Sequence, residues 1–172
     1  MDAFVTWLAA TPLSVFMQAR PWAVGLVQSL HILGIGVVLA SVVMITLRLL
    51  GHAGLDQTVL RTQQRFGPWL LGALILLGAT GALLIVTEPR RELYTLSFWL
   101  KMILLVVGIV IASAFHLSLK KNAALWEETL SGRGFVKAIA VFTLVVWLCI
   151  IVLGRLIAYD NVWGPLSPTH SR

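Results

Sequence analysis

The stretch LSFWLKMILLVVGIVIASAFHLSL, Leu96 to Leu119, decides the fold. Between Lys101 and His116 it carries no charged or titratable side chain. At about 1.5 Å rise per residue it is long enough to cross roughly 30 Å of hydrocarbon as a helix. With no water to satisfy backbone N–H and C=O groups inside a bilayer, a helix is the economical form for such a segment. Three further stretches read the same way, at about residues 22–50, 68–86 and 135–158. The sequence therefore predicts an all-α integral membrane four-helix bundle, a single transmembrane domain over residues 1–172. Short connections predict that sequential helices pack antiparallel as neighbours.

Composition agrees. Hydrophobic residues make up 59% of the chain and charged residues only 12%, about half the charge of a soluble domain, so the surface cannot be wetted all round. The net charge of +6 does not point to nucleic acid, because the basic residues sit in short loops at helix ends and form no stripe interleaved with aromatics. The single cysteine, Cys149, lies inside an apolar run and forms no internal disulfide. The N-terminus has no basic region ahead of a cleavable apolar stretch, so no signal peptide is expected.

Residues 1–21 are too broken to span. Thr11-Pro12 and Arg20-Pro21 interrupt them, while Phe4, Trp7, Leu8, Val15 and Phe16 supply an apolar face. One or two short interfacial helices are expected there, and an irregular tail from Asn161 to Arg172. The first and third loops hold Arg48, Arg61, Arg65, Lys120, Lys121, Arg133 and Lys137. The other side holds Arg20, Arg90, Arg91, Arg155 and Arg172, offset by Asp2, Glu88, Glu92 and Asp160. The positive-inside rule then puts both termini outside, periplasmic in a bacterial inner membrane. Trp22, Trp69, Trp99 and Trp163 lie near span ends and suit aromatic belts.

Ionisable groups within a bilayer are costly and point to function by default. His31, Lys101, His116 and Arg155 are the candidates, with His52 just past the first span. Helical rise puts His31 roughly 7 Å and Lys101 roughly 9 Å on the outer side of the midplane, and His116 roughly 13 Å on the inner side. His31, Lys101 and Arg155 can thus form one outer cluster, and His116, Lys120 and His52 an inner one. A histidine in lipid serves as a metal ligand, a proton carrier or a hydrogen bond between helices. Haem iron is a metal that histidine holds and that bundle interiors accommodate. On that reading His31 and His116 are the metal ligands. Roughly 20 Å apart, they cannot hold opposite faces of one haem, so one or two haem b groups are expected. Lys101 and Arg155 either neutralise propionates or snorkel to the surface. Met102 is a weaker axial candidate. The Glu127-Glu128 pair reads as solvated, and no hydrolytic or phosphate-binding motif is present.

Several of these residues also carry a resemblance. Ser29-Leu30-His31-Ile32-Leu33-Gly34, then Leu47-Arg48-Leu49-Leu50-Gly51, resembles the first span of a bacterial four-helix family known only as a domain of unknown function. Phe98-Trp99-Leu100-Lys101-Met102 with Phe115-His116 resembles its third span, and Lys137, Trp147 and Gly154 to Tyr159 its fourth. That family often has an acidic residue where Thr46 stands. A histidine in the first span with Trp-x-Lys opening the third is also similar to HemJ-like protoporphyrinogen oxidases, which implies haem at His31 with Trp99 and Lys101 nearby. CopD-like membrane domains share the architecture, but this chain lacks their Met- and His-rich stretches. Three functions remain open: haem-based electron transfer between quinone and a periplasmic redox partner, oxidation of a porphyrinogen-type substrate, and a non-catalytic subunit. Membrane lipid is the expected surround, and a homo-oligomer is compatible with the sequence.

Overall fold

A computed structural model describes residues 1–124, 126, 134–159 and 163. Among them are two short helices, α1 (Asp2–Ala9) and α2 (Pro12–Gln18), then α3 (Pro21–Leu50), α4 (Val59–Thr87), the single turn and a half of α5 (Pro89–Leu93), α6 (Leu96–Lys121) and α7 (Gly134–Leu156). No described residue is in a strand. Helices α3, α4, α6 and α7 are long and apolar enough to cross a membrane. At most 33% of the most apolar window of any of them is buried in protein. The remaining apolar surface faces outward and needs lipid to cover it, so the chain is a multi-pass membrane protein. Glu127-Glu128, Arg133 and the tail from Asn161 onward, Trp163 excepted, lie outside the described residues.

Local chemistry sets the helix ends. Pro21 occupies the first turn of α3, where its missing N–H costs nothing. At the other end Gly51 adopts a left-handed backbone, φ 76°. Its N–H bonds the carbonyl of Arg48 and that of His52 bonds the carbonyl of Leu47, the paired closure that favours glycine. Thr58 caps α4 by accepting from the Arg61 N–H at 3.1 Å, and Thr11 caps α2 through the Ser14 N–H.

The second span begins earlier than its sequence suggests. Pro68 reads as a helix start, but α4 already runs from Val59 and carries Pro68 in its interior. The Thr58 cap starts the helix. The preceding turns are polar enough to escape a hydropathy window, and proline is tolerated within membrane helices.

Neighbour order also departs from expectation. α3 packs most extensively on α4, α6 packs on α7, and α3 packs on α7. The sequential pair α4 and α6 barely touch. Gly34 explains the closeness of the first pair, since a Cβ there would lie 3.0 Å from Leu77. Gly108 plays the same part for α6 and α7, where Trp147 lies against it. The core forms three levels. Val5, Leu93, Phe98 and Ile157 fill the end nearest the N-terminus. Val38, Val42, Leu70, Ala73 and Trp147 fill the middle. Leu49, Val59, Leu119, Val136 and Ala140 fill the far end.

The N-terminal helices lie across the near end. Val5, Ser14 and Met17 are buried against the bundle, while Phe4, Trp7, Leu13, Val15 and Phe16 are exposed, as suits helices lying at an interface. Gln18 donates to the carbonyl of Thr87 at 2.9 Å and so satisfies one of the orphan acceptors ending α4. The Tyr94 hydroxyl donates to Asp2, tying α1 to α5.

Candidate functional site

At the near end the four spans converge on His31. The imidazole projects from α3, and its Nδ1 lies 2.8 Å from the Thr80 hydroxyl on α4. Thr80 has one hydroxyl proton, and it goes to the carbonyl of Leu76 at 2.7 Å. The hydroxyl oxygen must therefore accept from His31, which fixes the proton on Nδ1 and leaves a lone pair on Nε2. Gly81, one residue on, faces Cε1 of the same ring, and a Cβ there would stand 3.5 Å away.

Lys101 enters from α6. Its stem passes Gly154 of α7 at 3.7 Å from that residue's Cβ position, and its ammonium sits 5.4 Å from the Phe98 ring centroid. It is close enough to interact electrostatically with both His31 and Glu92. His31, Gly81, Lys101 and Gly154 thus bring residues of all four spans to the near end of the bundle, with a neutral nitrogen donor and a cation within electrostatic reach of each other.

The other expected members lie elsewhere. Arg155 is exposed, with its guanidinium 5.8 Å from the Tyr159 ring. Trp99 is 46% exposed and donates its indole N–H to the carbonyl of Leu93 at 3.0 Å, the posture of a belt residue. Trp163 donates to Ser97 at 2.7 Å. Met102 packs beside the Val5–Phe98 cluster. His52 is exposed in the α3–α4 loop.

His116 belongs to the far end. Its Nδ1 meets the Gln63 amide nitrogen at 3.4 Å, so it accepts there and carries its proton on Nε2. Thr80 and Gln63 both lie on α4, about 25 Å of helix apart, so the two histidines serve separate places. Sequence reading of ionisable groups misses Gln63 itself, which is 8% exposed, and Trp147, which is 3% exposed. The Oε1 of Gln63 and the Nε1 of Trp147 have no hydrogen-bond partner among the described residues. Both residues line a cavity of about 60 Å³ between α3, α4, α6 and α7. Arg48, expected as a loop cation, is 7% exposed and donates to the carbonyl of Gln57 at 2.7 Å, pinning the α3–α4 loop.

Among the described residues no three or more His, Cys, Asp or Glu side chains cluster to hold a bare metal ion. Haem asks less of the protein, since the porphyrin supplies four nitrogens and one imidazole suffices. The fixed tautomer at His31 fits that role, as does a cation within electrostatic reach of it.

Four apolar spans joined by short connections define a polytopic membrane protein. Residues 13–160 match the family of unknown function DUF6644, and the chain belongs to that family. No curated protein and no solved structure matches it, so neither comparison shows the HemJ-like or CopD-like resemblance.

Proposed function

We propose that the chain is a b-type haem protein of the bacterial inner membrane, both termini periplasmic, that carries electrons between membrane quinone and a redox partner. The observation supporting this reading is the His31–Thr80–Leu76 chain of hydrogen bonds. An axial histidine needs its far nitrogen protonated and held, so that the near one keeps its lone pair and its direction. Thr80 does the holding, and Gly81 keeps a side chain off the ring. Lys101 pairs with a propionate, and its stem lies along Gly154 where a larger residue would crowd it. Bound there, haem supplies a one-electron couple. One haem is proposed, because His116 serves the far end and Met102 is engaged in the near-end core.

The test is an absorption spectrum of the purified full chain, expressed with haem supply. A Soret band at about one haem per chain is expected, lost in His31→Ala and kept in His116→Ala and His52→Ala. A wild-type protein without a Soret band removes the proposal. The half-buried Lys101 would equally grip a carboxylate of a porphyrinogen-type substrate. Rescue of a strain lacking protoporphyrinogen oxidase would favour that second reading over electron transfer.

A further inference from the structure

We infer that the cavity at the far end of the bundle is a binding site for the ring of a quinol-class lipid, the reduced form of a quinone, with one hydroxyl donating to the Gln63 oxygen and the other accepting from the Trp147 indole N–H. Two independent observations lead there. Among the described residues the Gln63 oxygen and the Trp147 nitrogen are buried polar atoms without partners, a costly state if left so. Both residues line the same cavity, whose other walls are almost wholly apolar, including Leu70, Phe115 and Ile139. A ligand that relieves both atoms must donate at one end, accept at the other and be greasy between.

Size distinguishes the occupants. Trp147 lies against Gly108 and Gln63 against His116, two levels of α6 about 12 Å apart. One water bridges heavy atoms only about 6 Å apart, and the two that the enclosed volume can hold bridge about 8 Å. A ring with para oxygens and a hydrogen bond at each end spans about 11 Å. The cavity reaches the lipid-facing surface, because Ile139, one of its walls, is 37% exposed. The enclosed part measures about 60 Å³, less than the ring occupies, so the side chains at that mouth shift to admit it, and its tail lies among the acyl chains. Gly67 belongs to the same construction. A Cβ there would fall 2.9 Å from the Gln63 amide nitrogen, so glycine is what lets the amide fold back beside His116.

The inference supplies a place for the quinone of the proposed function, but binding itself does not depend on haem. Full-length protein in nanodiscs is titrated anaerobically with a short-tailed ubiquinol or menaquinol analogue, with tryptophan fluorescence as readout. Saturable binding is expected, weakened tenfold or more in Gln63→Leu and in Trp147→Phe and unchanged in His31→Ala. Ile139→Trp fills the mouth without touching either polar atom, and covers the case in which a core variant fails to fold; it too should weaken binding tenfold. Absence of saturable binding overturns the inference, as does equal affinity in all variants, or a solved structure with only water or an acyl chain in the cavity. Binding without a Soret band would sink the haem reading and leave this one standing.

Discussion

Thr80 takes the Nδ1 proton of His31 at 2.8 Å while giving its own proton to Leu76. The threonine thereby decides which imidazole nitrogen keeps a lone pair. Thr80→Val keeps the shape and removes the acceptor. A tenfold or greater loss of haem affinity is expected, the usual effect of deleting an outer partner of a metal-bound histidine, along with about 1 kcal/mol of stability. Thr80→Ser should retain both. Haem-to-protein ratios measured against haem concentration decide the matter; equal ratios in the valine and serine variants would show the bond has no such role.

Gln18 binds the end of α4 through the carbonyl of Thr87. Gln18→Leu leaves that carbonyl without its partner and loosens α2, at a cost of about 1–2 kcal/mol. The loss should be local. Hydrogen exchange is expected to quicken across residues 2–18 and stay unchanged in the middle of α3 and α4.

Gly67 and Gly72 sit a turn and a half apart on α4 and should respond oppositely. A Cβ at Gly67 meets the Gln63 amide, whereas at Gly72 nothing lies within 4 Å. Gly72→Ala should leave stability unchanged or raise it by up to about 1 kcal/mol, the helix preference of alanine over glycine. Gly67→Ala should displace the amide and weaken quinol-analogue binding with little change in melting temperature, since only a flexible side chain has to move.

Burial holds the Glu92 carboxyl above the usual carboxylate range; Lys101 and Arg91 pull it back down, and Glu88 adds an upward push. The folded chain therefore grips this proton more tightly than the unfolded one. The resulting stabilisation is present below the ordinary value of about 4.3 and is lost as pH rises through the folded value. Glu92→Gln stays neutral throughout and should flatten that decline in thermal unfolding scans. Parallel profiles for the two proteins would refute the assignment.

The spans and the inward histidine are legible in sequence because apolar length and an ionisable residue in lipid are strong, local signals. The start of α4 is not, since Thr58 and the polar turns after it resemble a loop until the helix is seen to run through Pro68. Arg155 and Trp99 show the limit of depth arithmetic. Helical rise puts Arg155 in the same outer half as His31 and the resemblance puts Trp99 near it, but their side chains turn to Tyr159 and to the carbonyl of Leu93. Gln63 and Trp147 escape notice for a different reason. Neither is charged, so a search for titratable groups passes over them. The usable signals are an amide a turn before Gly67-Pro68 and a tryptophan at mid-span, far from either headgroup belt. Their unsatisfied atoms emerge only once the helices are packed.

Helices α4 and α6 hardly meet, so the bundle is two hairpins bound along one spine, the line where α3 meets α7. A chain inserted from its N-terminus completes the first leaf, with the imidazole already posed by Thr80, before the second leaf has been synthesised. Lys101 and Gly154 arrive with that later leaf. The ligand proposed for the imidazole therefore has a way in at the unbound fore-edge, as the last act of assembly.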